Sequence, residues 1–286
     1  VDDRGGPKDV PRGGRAKERA PQAQAAPPLV DQVEPPENSP PQSPPPVVMP
    51  LFYKDPRPLD PARHGRFSLK TEIEYSFTRQ TNAVPLNIAE FGVAARFFPI
   101  VFVREPVPMA LAVLGMRKDQ NLFVDEFGRW QSGCYIPAYV RRYPFIFFES
   151  EDGKRLSLCV DEASNVLVEG DTRPLFKNGQ PSDAARGAFE FCAAFQREHT
   201  TTQAFVSRLV ANDLLMTSQA RASLKSGEQL ALTGFEVVDG KKFNALSDEA
   251  FVAFRRDGGL AGIYSHLIAQ SNWDFLLNLS TGSSSR

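Results

Sequence analysis

The sequence predicts an α+β protein, with an antiparallel, strand-rich first half and helices concentrated in the second half. Three observations carry this. Short apolar or alternating runs fill residues 67–160 and read as strands. The turns between them span a few residues, too short for the crossovers that parallel neighbours need. From residue 182 onward the apolar residues recur at helical spacing instead, and such segregation is the α+β pattern.

Residues 1–48 contain no Phe, Trp or Tyr and hold 12 of the chain's 24 prolines. Such a stretch buries too little apolar surface to offset its chain entropy, so a disordered tail rich in Pro, Arg and Gly is expected. Met49 stands directly before the first aromatic run, and the native start is expected at or near it. One folded domain over 49–279 and a flexible end over 280–286 complete the expected organisation.

Leu51 to Leu59, with Pro56 and Pro58, reads as an extended arm on the domain surface. Phe67–Leu69 and Ile73–Phe77 alternate as strands. Asn82–Leu86 is a turn and short strand. Asn87 caps a helix that runs to Phe97 and stops before Pro99, with Glu90 in the capping-box position. Ile100–Val103 and Met109–Met116 are apolar strands joined by Glu105–Pro108. Asn121–Val124 is a further strand, followed by the turn Asp125–Gly128.

The densest stretch is Tyr135–Phe148, YIPAYVRRYPFIFF. Pro137 and Pro144 leave room for one helical turn between them. Phe145–Phe148, four apolar residues in a row, reads as a buried strand with Phe147 or Phe148 deep in the core. It pairs with Arg155–Val160 across a turn carrying Asp152-Gly153. Further on, Ser182 caps a helix to Arg197, Thr200–Thr202 interrupts, and Ala204–Leu215 is a second helix. Ala220–Leu224 and Gln229–Val238 form a strand pair. Ser247 caps a short helix ending at Gly258-Gly259, and a last helix runs from Leu260 towards Leu279.

The 33 basic and 34 acidic residues balance to a net charge of -1. That argues against a nucleic-acid partner, which calls for a basic excess on one face. Cys134, Cys159 and Cys192 are too scattered for a disulfide framework and read as buried thiols. Every apolar run is shorter than the roughly 20 residues of a transmembrane segment, and the N-terminus lacks a secretory pattern. A cytoplasmic location is expected, the alternative being the cell surface through a signal-less export route.

No Gly-rich phosphate loop, nucleophile elbow or His pair at i, i+4 occurs, so no catalytic residue, metal or cofactor is assigned. His64, among prolines and arginines, is expected to be exposed, and His266 half-buried with one hydrogen bond. Asp125, Glu126 and Asp161 fall at hairpin ends, where turn chemistry outweighs acid–base work.

The best functional candidate is the pair Arg141 and Arg142 beside Tyr135, Tyr139 and Tyr143. Guanidiniums among phenols suit a carboxylate or phosphate, with Glu90 and Asp161 as acidic neighbours. Internal pairing with Glu90 or Glu149 is the competing structural role. Adjacent side chains on a single helical turn point about 100° apart. One arginine is therefore expected to turn inward to a carboxylate and the other to reach solvent or a ligand.

Several pieces of the chain together resemble the SapC family of bacterial proteins, which is distinct from the peptide-transporter permease of the same name. They are Pro50–Lys54, Asn82–Leu86, Glu90-Phe91, Phe98–Phe102, Asn121–Phe123, Tyr135–Phe145, Asp161-Glu162, Pro174–Phe176 and His266-Leu267. Phe98 stands where many members carry Tyr. The resemblance implies association with a paracrystalline surface layer, so a surface-layer or envelope protein is the partner it suggests. It carries over no catalytic residue. Two readings follow. One is a non-enzymatic binding or accessory protein acting through its aromatic–arginine surface. The other is a cytoplasmic small-molecule-binding protein or enzyme with an Arg/Tyr-lined anion pocket. A deep cavity lined by these residues favours the second, a shallow face with internally paired arginines the first.

Overall fold

The structure, a computed structural model, describes residues 49–149, 156–170, 172–223 and 227–281. The expected disordered tail, the Asp152-Gly153 turn, Leu224 and residues 282–286 lie outside the described residues. The arm leads into β1 (Pro56–Pro58) and a single turn of helix, α1 (Pro61–His64). Asp60 caps that turn, accepting from the backbone N–H of Ala62 at 2.7 Å and of Arg63 at 3.1 Å. After β2 (Phe67–Leu69) the expected strand over Ile73–Phe77 is absent. A 3-10 turn, Ser76–Thr78, stands there instead. The Tyr75 N–H donates to Gly128 O at 2.7 Å, so the segment folds over the Asp125–Gly128 turn.

Next come β3 (Ala83–Pro85), a 3-10 turn over Ile88–Glu90 and α2 (Phe91–Ala94). This helical stretch ends short of Phe97. The hairpin β4 (Ile100–Val103) and β5 (Met109–Val113) forms as the sequence implies. In the expected strand Asn121–Val124 only Val124 makes a bridge, to Trp130. Between the two prolines lies α3 (Ala138–Arg141), followed by the antiparallel pair β6 (Phe145–Glu149) and β7 (Leu156–Asp161). Phe145 and Ile146 are the buried members of β6. Phe147 and Phe148 are half-buried, so the deep position lies two residues earlier than the apolar run suggests. Phe147 leans on Phe189, itself half exposed.

Three short strands, β8 (Leu167–Glu169), β9 (Phe176–Lys177) and β10 (Gln180–Pro181), precede the longest element, α4 (Asp183–Ala211). The threonine run does not interrupt α4. Each hydroxyl donates to the carbonyl four residues back: Thr200 to Gln196 at 3.1 Å, Thr201 to Arg197 at 3.1 Å and Thr202 to Glu198 at 2.7 Å. Back-bonding of this kind lets Thr sit inside a helix. The hairpin β11 (Leu215–Ser223) and β12 (Gln229–Val238) follows. Then come α5 (Gly240–Asn244), α6 (Asp248–Arg256), α7 (Gly259–Ala269) and α8 (Asn272–Ser280). The expected last helix is thus two, broken at Gln270-Ser271.

All strand pairings are antiparallel. One sheet runs β11-β12-β4-β5-β3, a second β1-β7-β6, and two small ribbons join β2 to β8 and β9 to β10. The extended arm is thus also an edge strand, paired with β7. Its two prolines are tolerated because an edge strand needs fewer donors.

Two apolar clusters result. The larger, with Phe91, Phe98, Phe102 and Phe123, lies between the five-stranded sheet and the helices. The smaller, with Tyr53, Tyr143, Phe145 and Leu175, lies on the three-stranded sheet. α4 serves both: Ala184, Ala188 and Cys192 pack on the smaller, Phe195, Phe205, Val206 and Leu209 on the larger. Among the described residues no helix is long and apolar enough to cross a membrane.

Candidate functional site

The segment Tyr135–Phe145 crosses from one apolar cluster to the other, and its side chains sort into three groups. The first centres on Glu90. Its buried carboxylate accepts from Tyr135 OH at 2.9 Å, from the Ala138 N–H at 2.6 Å and from the Asn87 N–H at 3.0 Å. The Ala138 N–H is an orphan donor of the first turn of α3, so Glu90 caps that turn from outside it. Burial pushes the Glu90 carboxyl up, and the three donors work against that rise. Tyr135 is pushed up to about 12 by burial and by the neighbouring Glu90 charge. Arg141 completes the group. It is exposed, donates to Ile136 O at 2.9 Å and to Tyr135 OH at 3.0 Å, and lies over the rings of Tyr135 and Phe191.

The second group centres on Asp161, which is fully buried. Its carboxylate accepts from the backbone N–H of Lys54 at 3.2 Å, Asp55 at 2.8 Å and Ala163 at 3.3 Å, and from Tyr143 OH at 3.1 Å. These bonds fasten the arm to the end of β7. Burial is the main reason that Tyr143 is pushed up to about 12. Asp125 also does turn work, accepting from the N–H groups of Phe127 and Arg129 at 2.9 and 2.8 Å.

The third group centres on Arg142, which is 9% exposed. It turns inward, as the divergence of neighbouring side chains requires, but not to a carboxylate. Its guanidinium lies 4.3 Å from the ring centroids of both Tyr139 and Phe195 and 5.8 Å from that of Tyr53. Its Nε finds no hydrogen-bond partner among the described residues. A buried cation without an ion-pair partner costs several kcal/mol, and desolvated cation–π contacts return about 2 kcal/mol each. Two close faces thus offset much of the cost. Burial pushes the Tyr139 phenol up, with the Arg142 charge acting in the other direction. Cys192, beside this cage, is pushed up to about 11 by burial, which makes it a weak nucleophile.

Arg141 and Arg142 also line one pocket of about 270 Å³, with Tyr143, Pro144, Phe145, the first turns of α4, and Arg173. Tyr135, Tyr139, Glu90 and Asp161 are not in its lining. The seven residues expected as one site therefore divide into an exposed relay, a buried anchor and a buried cation. Sequence reasoning missed Tyr53, Phe195 and Arg173. Phe195 was visible as a core position of a helix, but nothing local ties it to Arg142. His64, expected to be exposed, is fully buried with Nε2 2.9 Å from Glu162 Oε1, because Arg63 and Glu162 close over it. Its Nδ1 lies 3.1 Å from the Asp60 N–H. His266 is likewise fully buried rather than half-buried.

The fold and these groups define an α+β protein whose two apolar cores are stitched by one arginine- and tyrosine-rich crossing segment under a long helix. The chain belongs to the SapC family, whose model matches residues 59–276, the bulk of the chain. No curated protein and no solved structure matches it.

Proposed function

We propose that this SapC-family chain is a non-enzymatic binding or accessory protein that works through the arginine–tyrosine face around Arg141, in association with the surface layer. One observation carries this reading. Arg141 is held out from the molecule on Tyr135 OH and Ile136 O, and among the described residues no carboxylate lies within ion-pair distance of it. A guanidinium fixed in this way is presented to a partner with little entropy left to lose. The face is shallow. The pocket beside it, about 270 Å³, falls below the roughly 300–1,000 Å³ of drug-sized ligand sites. Neither arginine is paired with a carboxylate among the described residues, so it is the shallowness of the face that favours a binding surface over an enzyme-like cavity.

Surface-layer association rests on the family alone. Fractionating the native cells with an antibody against the chain tests it, and the protein is expected in the surface fraction. Recovery in the cytoplasm alone overturns the surface association and leaves the second reading, a cytoplasmic small-molecule binder.

A further inference from the structure

We infer that the pocket between α3 and the first turns of α4 is a binding site for one small oxyanion, a phosphate or carboxylate group. This inference rests on the binding reading above and names the chemistry that the face recognises. Three guanidinium-bearing residues, Arg141, Arg142 and Arg173, line a space of about 270 Å³. The carboxylate in the same lining, Asp183, is engaged by Arg186 at 2.5 Å. Among the described residues none of the three arginines has a carboxylate within ion-pair distance. The local excess is thus about two positive charges in a chain whose net charge is -1.

Two of the three are fixed by carbonyls: Arg141 by Ile136 O, and Arg173 by Lys70 O at 3.2 Å. Each guanidinium has five N–H donors, so donors remain after these bonds. The third, Arg142, reaches the same lining while its guanidinium stays against Tyr139 and Phe195, and its Nε is buried without a hydrogen-bond partner among the described residues. Planar forks of this kind match the oxygen spacing of carboxylate and phosphate, where a lysine ammonium does not.

The α4 side of the pocket is built for close approach. It presents Ala184, Gly187 and Ala188, and a Cβ added at Gly187 meets nothing within 4 Å. The positive end of a 29-residue helix lies along the same wall and favours an anion there. Ile73, Phe145 and Val166 supply an apolar side, and low-polarity surroundings strengthen charge contacts. The space fits an oxyanion head with a short apolar stem and excludes a nucleotide-sized ligand.

Titration calorimetry on the full chain at low ionic strength tests this with three probes: inorganic phosphate, acetate, and sodium chloride as the control for screening. Saturable binding of phosphate or acetate is expected, weakened at least tenfold in Arg173→Gln and in Gly187→Leu. The second variant fills open space on a helix that leucine favours, so it should fold. Circular dichroism confirms folding of both. If phosphate is preferred the natural group is a phosphate ester, and if acetate is preferred it is a carboxylate. No saturable heat with either anion, or binding unchanged in both variants, overturns the oxyanion site. Neither result bears on surface association, which the fractionation decides on its own.

Discussion

At the scale of single residues, Arg142 and Glu90 test how charge is handled at the crossing segment. Arg142 lies between two aromatic rings and leaves no carboxylate behind when removed. Arg142→Ala is therefore expected to cost about 2–4 kcal/mol through two lost cation–π contacts and lost packing. Arg142→Met, of similar volume, is expected to stay within about 1 kcal/mol of the wild type, since it removes a desolvated charge. Urea unfolding of the two variants checks this, and equal losses in both would mean that the charge itself holds the seam. Glu90 is tested in the same way. Glu90→Gln keeps a carbonyl oxygen for the Ala138 N–H and Tyr135 OH, which share one carboxylate oxygen, but turns an NH2 toward the Asn87 N–H, which donates to the other, and should cost about 1 kcal/mol. Glu90→Ala leaves both N–H donors unpartnered and should cost about 1–3 kcal/mol. Comparable losses in the two would show that the carboxylate charge, not the capping, is what matters. The divergence of Arg141 and Arg142 was readable from the sequence because it depends only on helix geometry. The partner of Arg142 was not, because Phe195 comes from a helix about fifty positions on. The burial of His64 escaped for the same reason: it is closed in by Glu162, distant in sequence.

At the scale of elements, local patterning located the hairpins β4–β5, β6–β7 and β11–β12, but not the pairings of β1 with β7, β2 with β8, β3 with β5, β9 with β10 or β12 with β4. It failed where a tertiary partner or a back-bond overrides propensity. The threonine run in α4 shows how. Thr200, Thr201 and Thr202 read as a break because β-branched residues are mediocre helix formers. Yet all three hydroxyls bond back along the helix, and Thr202 Oγ1 also accepts from the Ile88 N–H at 2.8 Å. That last bond has a long-range origin that no window on the sequence contains. It also separates the three residues experimentally. Thr200→Ala and Thr201→Ala, both at exposed positions, are expected to change stability by less than about 0.5 kcal/mol, the usual surface range. Thr202→Val preserves shape and removes the acceptor of a part-buried N–H, so a loss of about 1–3 kcal/mol is expected. Thermal melts of the three single variants decide the matter. If Thr202→Val melts with the wild type, the contact between α4 and the Ile88 turn is not holding the two together. The shift of the buried position from Phe147 or Phe148 to Phe145 and Ile146 has a comparable cause. A run of four apolar residues fixes no face, and Phe147, though it still meets α4, packs there on Phe189, which is itself half exposed.

At the scale of the whole molecule, the sequence conveyed that strands come first and helices later, but not how the halves are joined. The joint is polar. His266 Nε2 accepts from the Val238 N–H at 3.0 Å, Gln270 donates to Ile100 O at 2.8 Å, and Asn272 donates to Ala95 O at 2.7 Å and Phe98 O at 3.1 Å. Together they tie α7 to β12 and β4 and α8 to the connection between α2 and β4. His266 also makes this joint sensitive to pH. Burial holds its pKa down at about 4, whereas an unfolded histidine titrates near 6.5. The unfolded chain therefore takes up the proton first as the solution is acidified. Stability from this group is complete above about pH 6.5 and is lost as the pH falls through about 4, on the order of 3 kcal/mol in all. Glu162, held at about 2 chiefly by its hydrogen bond from Arg63, acts in a lower window, below the ordinary carboxylate range, so the two contributions separate. His266→Gln keeps an acceptor for the Val238 N–H without titrating. Urea unfolding between pH 7 and pH 4 should show the wild type losing stability steeply and the variant much less. Parallel pH profiles for the two proteins would mean that His266 is not the residue through which acid loosens the helical half from the sheet.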